Sequence, residues 1–110
     1  MLEAEQLRRQ QDDTMASTQH QKAQVFRALH QGACFIIPNP WDVGSARLLA
    51  QLGFQALATT SSGVAWSTGH ADNHVPFDTM LERLHDISHA VELPVNADLE
   101  GGFATDPGEV

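Results

Sequence analysis

The chain has no tyrosine, one cysteine, and only 6 lysines and arginines against 14 acidic residues. Each scarcity excludes something. A single thiol, Cys34, cannot close an intrachain disulfide, so a disulfide scaffold is ruled out and a reducing compartment, the cytoplasm, is expected. A formal net charge of -8 lacks the basic face that nucleic acid requires, although a local site of opposite sign leaves small anionic ligands open. Long apolar runs are also missing. None approaches the ~20 residues that span a bilayer, and the first residues carry no apolar signal-peptide core, so neither nucleic acid nor membrane is an expected partner.

What is present is ordinary globular composition, 42% hydrophobic and 18% charged over 110 residues, enough for one small domain. Residues 1–20 are polar and Gln-rich and read as a mobile or weakly helical leader, with a second plausible start at Met15. The domain proper is expected over 21–110. Val25, Phe26 and Leu29 fall at helical spacing before Gly32, and the apolar run 33–37, closed by Pro38-Asn39-Pro40, reads as a first buried strand holding Cys34. Cys34 there is a small buried apolar residue rather than a nucleophile. Asp42 is placed to cap a helix running to Leu52, and Phe54 to Thr60 form a second strand that runs into Ser61-Ser62-Gly63-Val64. A long polar loop follows, from Ala65 to about Phe77. His70 and His74 lie in it four apart with no third ligand, which favours solvent exposure over zinc. Asp78 is expected to cap a helix carrying Met80, Leu84, Ile87 and Val91, and Asp106-Pro107 to open another.

The stretch from Pro94 to Phe103 carries the chemistry. Side chains two apart in a strand share a face, so Asn96, Asp98 and Glu100 oppose Val95, Ala97 and Leu99, and the strand breaks at Gly101-Gly102. Ligands collect at the carboxyl ends of strands in parallel α/β sheets, and aligned carboxylates suit a hard divalent cation such as Mg²⁺. A solvated strand end is the alternative reading of the same residues. Alternating strands and helices imply parallel strands, so the class is α/β. About three strand–helix units fall short of a closed (β/α)8 barrel, which takes about 250 residues. A truncated or partial chain is therefore expected.

Pro38 to Arg47, Ala58 to Val64 and Pro94 to Phe103 together resemble, in order and spacing, the first three barrel strands of the isocitrate lyase / phosphoenolpyruvate mutase superfamily, especially its phosphonomutase and 2-methylisocitrate-lyase-like members. The resemblance runs from about Val25 to Val110. It implies the N-terminal part of a (β/α)8 TIM barrel that binds Mg²⁺ and a small carboxylate, an α-keto acid or phosphonate, and makes or breaks a C–C or P–C bond through an enolate-like state. It further implies that Ser62, Gly63 and Val64 match the family's substrate-carboxylate loop, that Asp72 contacts the metal through water, and that Asp98 is a metal residue. The family often shows D-A-D where this chain has Asn96-Ala97-Asp98, so Glu100 is the residue that could restore the lost charge. The mobile cysteine loop of lyase members, and a further acidic metal contact, follow later strands and have no counterpart here. A homo-oligomer is expected of a full-length parent. The competing reading is a catalytically inert piece, or an interaction module whose open strand edges pair with another chain.

Overall fold

A computed structural model describes residues 2–110, without the side chains of residues 8–18. The chain divides into two compact units, residues 1–35 and 36–110. In the first, a single helix, α1 (Leu2–Leu29), takes in both the polar leader and the expected short helix. The leader's side chains at 8–18 lie outside the described residues. Near the end of α1 the His30 ring packs edge-on between Phe26 and Phe35, with centroids 4.6 and 5.1 Å away. Cys34 is exposed. Its expected burial fails because no strand forms over 33–37.

The second unit is built on two parallel two-residue strands, β1 (Leu57–Ala58) and β2 (Val95–Asn96), in the register Leu57↔Val95 and Ala58↔Asn96. The break that follows the expected first strand lies along β1, since Ala58 N–H donates to the Pro38 carbonyl at 3.1 Å and Asn39 Nδ2 to the Ala58 carbonyl at 2.9 Å. Pro38 and Pro40 have no N–H to return, which keeps this contact from growing into a ladder.

Helix α2 (Val43–Gln51) starts where the sequence placed it. The Asp42 carboxylate accepts from Ser45 N–H at 2.7 Å, and the Ser45 hydroxyl reaches back to Asp42 N–H at 3.2 Å, a reciprocal capping box. The Ser45 amide and hydroxyl, helped by Arg83, hold the Asp42 carboxyl below its ordinary 3.8 against the upward push of burial. Asp42→Ala is expected to cost about 1 kcal/mol in urea unfolding. A depressed carboxyl stabilises the fold above its unfolded value, so this increment is present at neutral pH and fades in the wild type as pH falls below 3.8.

Helix α3 (Ser61–Ser67) stands where the sequence suggested a turn and the start of a long loop. Thr60 supplies the cap, its hydroxyl accepting from Gly63 N–H at 3.1 Å, and the next turn buries Val64 and Ala65 completely. The loop is thereby shortened to 68–76. Helix α4 (Phe77–Ala90) begins one residue before the expected cap. Asp78 lies inside its first turn, and Pro76 precedes the helix with no side-chain bond.

Met80, Leu84, Ile87 and Val91 form one stripe along and just beyond α4, and it serves two clusters. Ile87 and Val91 join Ala46 and Leu57, with Leu49, Ala50 and Val95 packed around them. Met80 joins Val64, Ala65 and Val75, with Leu84 and Leu99 around these. Thus α4 lays one apolar face across both α2 and α3. Asp106 caps a single 3-10 turn, Pro107–Glu109, by accepting from Gly108 N–H at 2.9 Å.

Candidate active site at the exits of the parallel strands

Both strands end at the same side of the unit, and the chain leaving each is tied to the other. Asp98 does the tying. Its Oδ2 accepts from Ser61 N–H at 3.0 Å, its Oδ1 from Glu100 N–H at 3.0 Å, and its own N–H donates to the Thr59 hydroxyl at 2.8 Å. Burial pushes the Asp98 carboxyl upward, but the amides of Glu100 and Ser61 and the Ser61 hydroxyl outweigh it, and the group settles below 3.8. It is an anion at neutral pH.

Beyond Asp98 the backbone turns sharply. Glu100 and Phe103 adopt left-handed φ values of 56° and 58°, and Gly102 N–H closes the turn on the Leu99 carbonyl at 2.9 Å. Left-handed backbone at a side-chain-bearing residue is uncommon and collects at sites that over-determine it. Leu99 holds the turn from beneath through the Val64–Met80 cluster, and the Phe103 ring lies 5.1 Å from that of Phe77. The Glu100 Oε1 is buried and has no hydrogen-bond partner. An acceptor removed from water and left unpaired is costly, and a cation is one group that would satisfy it. Asn96 is exposed, and its backbone carbonyl accepts from Thr59 N–H at 2.9 Å.

At the exit of β1 lies an open cavity of about 430 Å³ lined by Asn39, Trp41, Thr60, Ser62, Gly63, Trp66 and Ser67. Ser62 and Gly63 therefore face the hollow. Val64 does not: its side chain is completely buried in the core cluster. Three amides of the turn already have partners, Ser61 N–H on Asp98, Gly63 N–H on the Thr60 hydroxyl and Val64 N–H on the Thr60 carbonyl at 3.0 Å. What remains toward the hollow is Ser62, whose hydroxyl lies 3.2 Å from that of Thr60.

The structure thus joins Asp98 to Glu100, and both to the turn before Ser62. Asp72 is exposed, its carboxylate accepting from Asn73 N–H at 3.0 Å. Among the described residues no three His, Cys, Asp or Glu side chains gather as a metal-binding group. The sequence singled out Asp98 but not its partners Thr59 and Ser61, nor Asn39, Trp41, Thr60, Trp66 and Ser67 around the cavity. Only the Pro-Asn-Pro-Trp break after the apolar run carried a signal for the first two.

Parallel strands joined through helices, with a polar site and a cavity at their carboxyl ends, define this as part of an α/β barrel. The chain belongs to the phosphoenolpyruvate phosphomutase family, whose profile matches residues 26–110. A protein from Burkholderia cenocepacia designated a lyase/mutase is 55% identical over 84% of this chain and 34% of its own, with a TM-score of 0.81. A protein from the same organism designated a phosphonomutase is 42% identical over 80% of this chain and 36% of its own, with a TM-score of 0.76. At 33% identity, 2,3-dimethylmalate lyase, a PEP mutase/isocitrate lyase superfamily member, superposes at a TM-score of 0.65 over 76% of this chain and 31% of its own. An uncharacterized protein of Mycobacterium tuberculosis is 37% identical over 81 residues, 74% of this chain and 31% of the relative. The chain therefore spans about a third of the length of these relatives, and its structure is the N-terminal part of a (β/α)8 barrel.

Proposed function

We propose that this chain carries the substrate cavity and part of the Mg²⁺ site of a lyase/mutase that makes or breaks a C–C or P–C bond in a small carboxylate, of α-keto acid or phosphonate type, through an enolate-like state. The observation that carries the reading is the Asp98–Glu100 turn, where an ionised carboxylate and a buried, unpartnered carboxylate oxygen stand two residues apart at one strand exit. Mg²⁺ takes oxygen ligands, keeps several waters and is commonly held by one or two carboxylates, so a pair suffices. Glu100 and Asp98 would hold the ion, with Asp72 reaching it through water. When bound, the ion would supply positive charge to a developing enolate oxygen.

The residues of the chain do the positioning. Trp41 and Trp66 offer apolar surface along the open cavity, and the Ser62 and Thr60 hydroxyls there can donate to a substrate carboxylate. Gly63 lets Thr60 and Trp41 pack close to the helix that carries Ser62. A protein of the relatives' full length would act in the cytoplasm as a homo-oligomer; the single thiol suits a reducing compartment.

Mn²⁺, used as a paramagnetic probe for the Mg²⁺ site, tests the reading. Glu100→Gln is expected to weaken Mn²⁺ binding by about tenfold or more, and pyruvate release in a protein of the relatives' full length should fall with it. Unchanged affinity in both Glu100→Gln and Asp98→Asn would remove the metal site from this turn.

A further inference from the structure

We infer that His85 and His89, on the exposed side of α4, form a two-imidazole binding site for a borderline divalent transition metal such as Zn²⁺, Ni²⁺ or Cu²⁺. The two residues lie one helical turn apart, and their rings stack at 4.1 Å between centroids and 24° between planes. Imidazoles at i and i+4 on one helix face are a recurring chelate, because the spacing brings both rings to one side. Two nitrogens on one tetrahedral zinc, each at ~2.0–2.1 Å, stand about 3.4 Å apart. The stacked rings show that the two side chains reach the same spot on the helix surface, and the ion would turn them out of the stack so that both in-plane lone pairs meet on it.

The hydrogen bonds fix which nitrogen is available. His89 Nδ1 lies 2.8 Å from the His85 carbonyl and 3.2 Å from the Ser88 hydroxyl, which spends its own proton on that same carbonyl at 3.0 Å. Both neighbours of Nδ1 are therefore acceptors, so Nδ1 carries the proton and Nε2 keeps its lone pair. His85 Nδ1 lies 3.5 Å from the Asp86 carboxylate, which favours the same tautomer. A carboxylate or carbonyl behind Nδ1 and a free lone pair on Nε2 is the arrangement that orients ligating histidines. Two protein ligands leave the remaining positions to water or to a further donor, so the site is open and exchangeable. Imidazole suits Zn²⁺, Ni²⁺ and Cu²⁺ and not Mg²⁺, which separates this site from the one at Asp98 and Glu100.

Isothermal titration of the 110-residue chain with ZnCl2, NiCl2 and MgCl2 at mildly alkaline pH tests the inference. One equivalent of Ni²⁺ and Zn²⁺ is expected to bind and Mg²⁺ not to compete, with affinity falling in acid as protons compete for the ligating nitrogens. His89→Ala and His85→Ala should each weaken binding by at least about tenfold, with helicity by circular dichroism unchanged. His70→Ala/His74→Ala removes the other pair spaced four apart, which lies in the 68–76 loop and not on a helix face, and should leave binding intact. Binding that survives loss of both His85 and His89, or that disappears with His70 and His74, would overturn the assignment, as would no detectable binding to the wild type.

Discussion

Asp98→Ala is expected to destabilise the chain by about 2–4 kcal/mol in urea unfolding, the largest effect of any substitution outside the apolar core. Hydrogen bonds to a charged group contribute about 1.5–3 kcal/mol each, and two such bonds sharing one acceptor group are less than additive. Alanine leaves the amides of Ser61 and Glu100 without their partner, and Ser61 is buried. Asp98→Asn should fall between, since its carbonyl oxygen replaces one carboxylate oxygen while its NH₂ faces the other amide donor to donor. The pH profile separates charge from shape. A carboxyl held below 3.8 in the fold stabilises the native state above that value, and the increment is lost as pH falls through the folded pKa. The wild type should therefore lose stability in that acid range faster than Asp98→Asn. A loss within about 0.5 kcal/mol for Asp98→Ala, the scatter of ordinary surface changes, would show that the link between the strand exits is not what holds them.

Gly63→Ala should destabilise by about 1–3 kcal/mol, and Gly63→Val by more, although helix propensity alone predicts a gain of about 1 kcal/mol for the alanine. The opposed signs make the result decisive. Gly63 is helical, so glycine is not required there for a left-handed backbone; it is required for space. A Cβ would stand 2.7 Å from Thr60 Cγ2 and 3.1 Å from Trp41 Cβ. Thr60 could rotate away only by withdrawing the hydroxyl that caps α3, at about 1 kcal/mol. Trp41 would have to shift as well, and it forms one wall of the cavity. Substrate affinity in a full-length relative carrying the change should therefore fall together with stability. An alanine variant as stable as the wild type would mean the Thr60–Trp41 contact is slack.

Local chemistry was the legible part of the sequence. Asp42 declared the start of α2 because one short side chain can satisfy the first free amides, and the alternation of apolar runs with helical stripes gave parallel strands before any pairing was visible. Helix α3 was not legible. Ser-Ser-Gly is turn chemistry by propensity, and only burial of Val64 and Ala65 against Met80 makes it helical. The site divides in the same way. Asp98 and Glu100 are named from alternation along a strand that in the structure ends at Asn96, with Glu100 in a left-handed turn, and the partners of Asp98, Thr59 and Ser61, come from the far side of a crossover, where spacing carries no information. Trp41 and Trp66 meet around one cavity for the same reason.

The bonds from Asp98 to Ser61 and from Asp98 to Thr59 span 37 and 39 positions of chain, and the parallel register of β1 with β2 is set between the same segments. A parallel pair gains nothing until its whole crossover has closed, and that closure costs entropy before the first ladder bond forms. The backbone hydrogen bonds of helices α2 and α4, by contrast, link residues one turn apart and can form within microseconds. Refolding of this unit is thus paced by the search that brings Asp98 to the end of β1, so one carboxylate marks both where the site sits and when, in the life of a new chain, it comes into being.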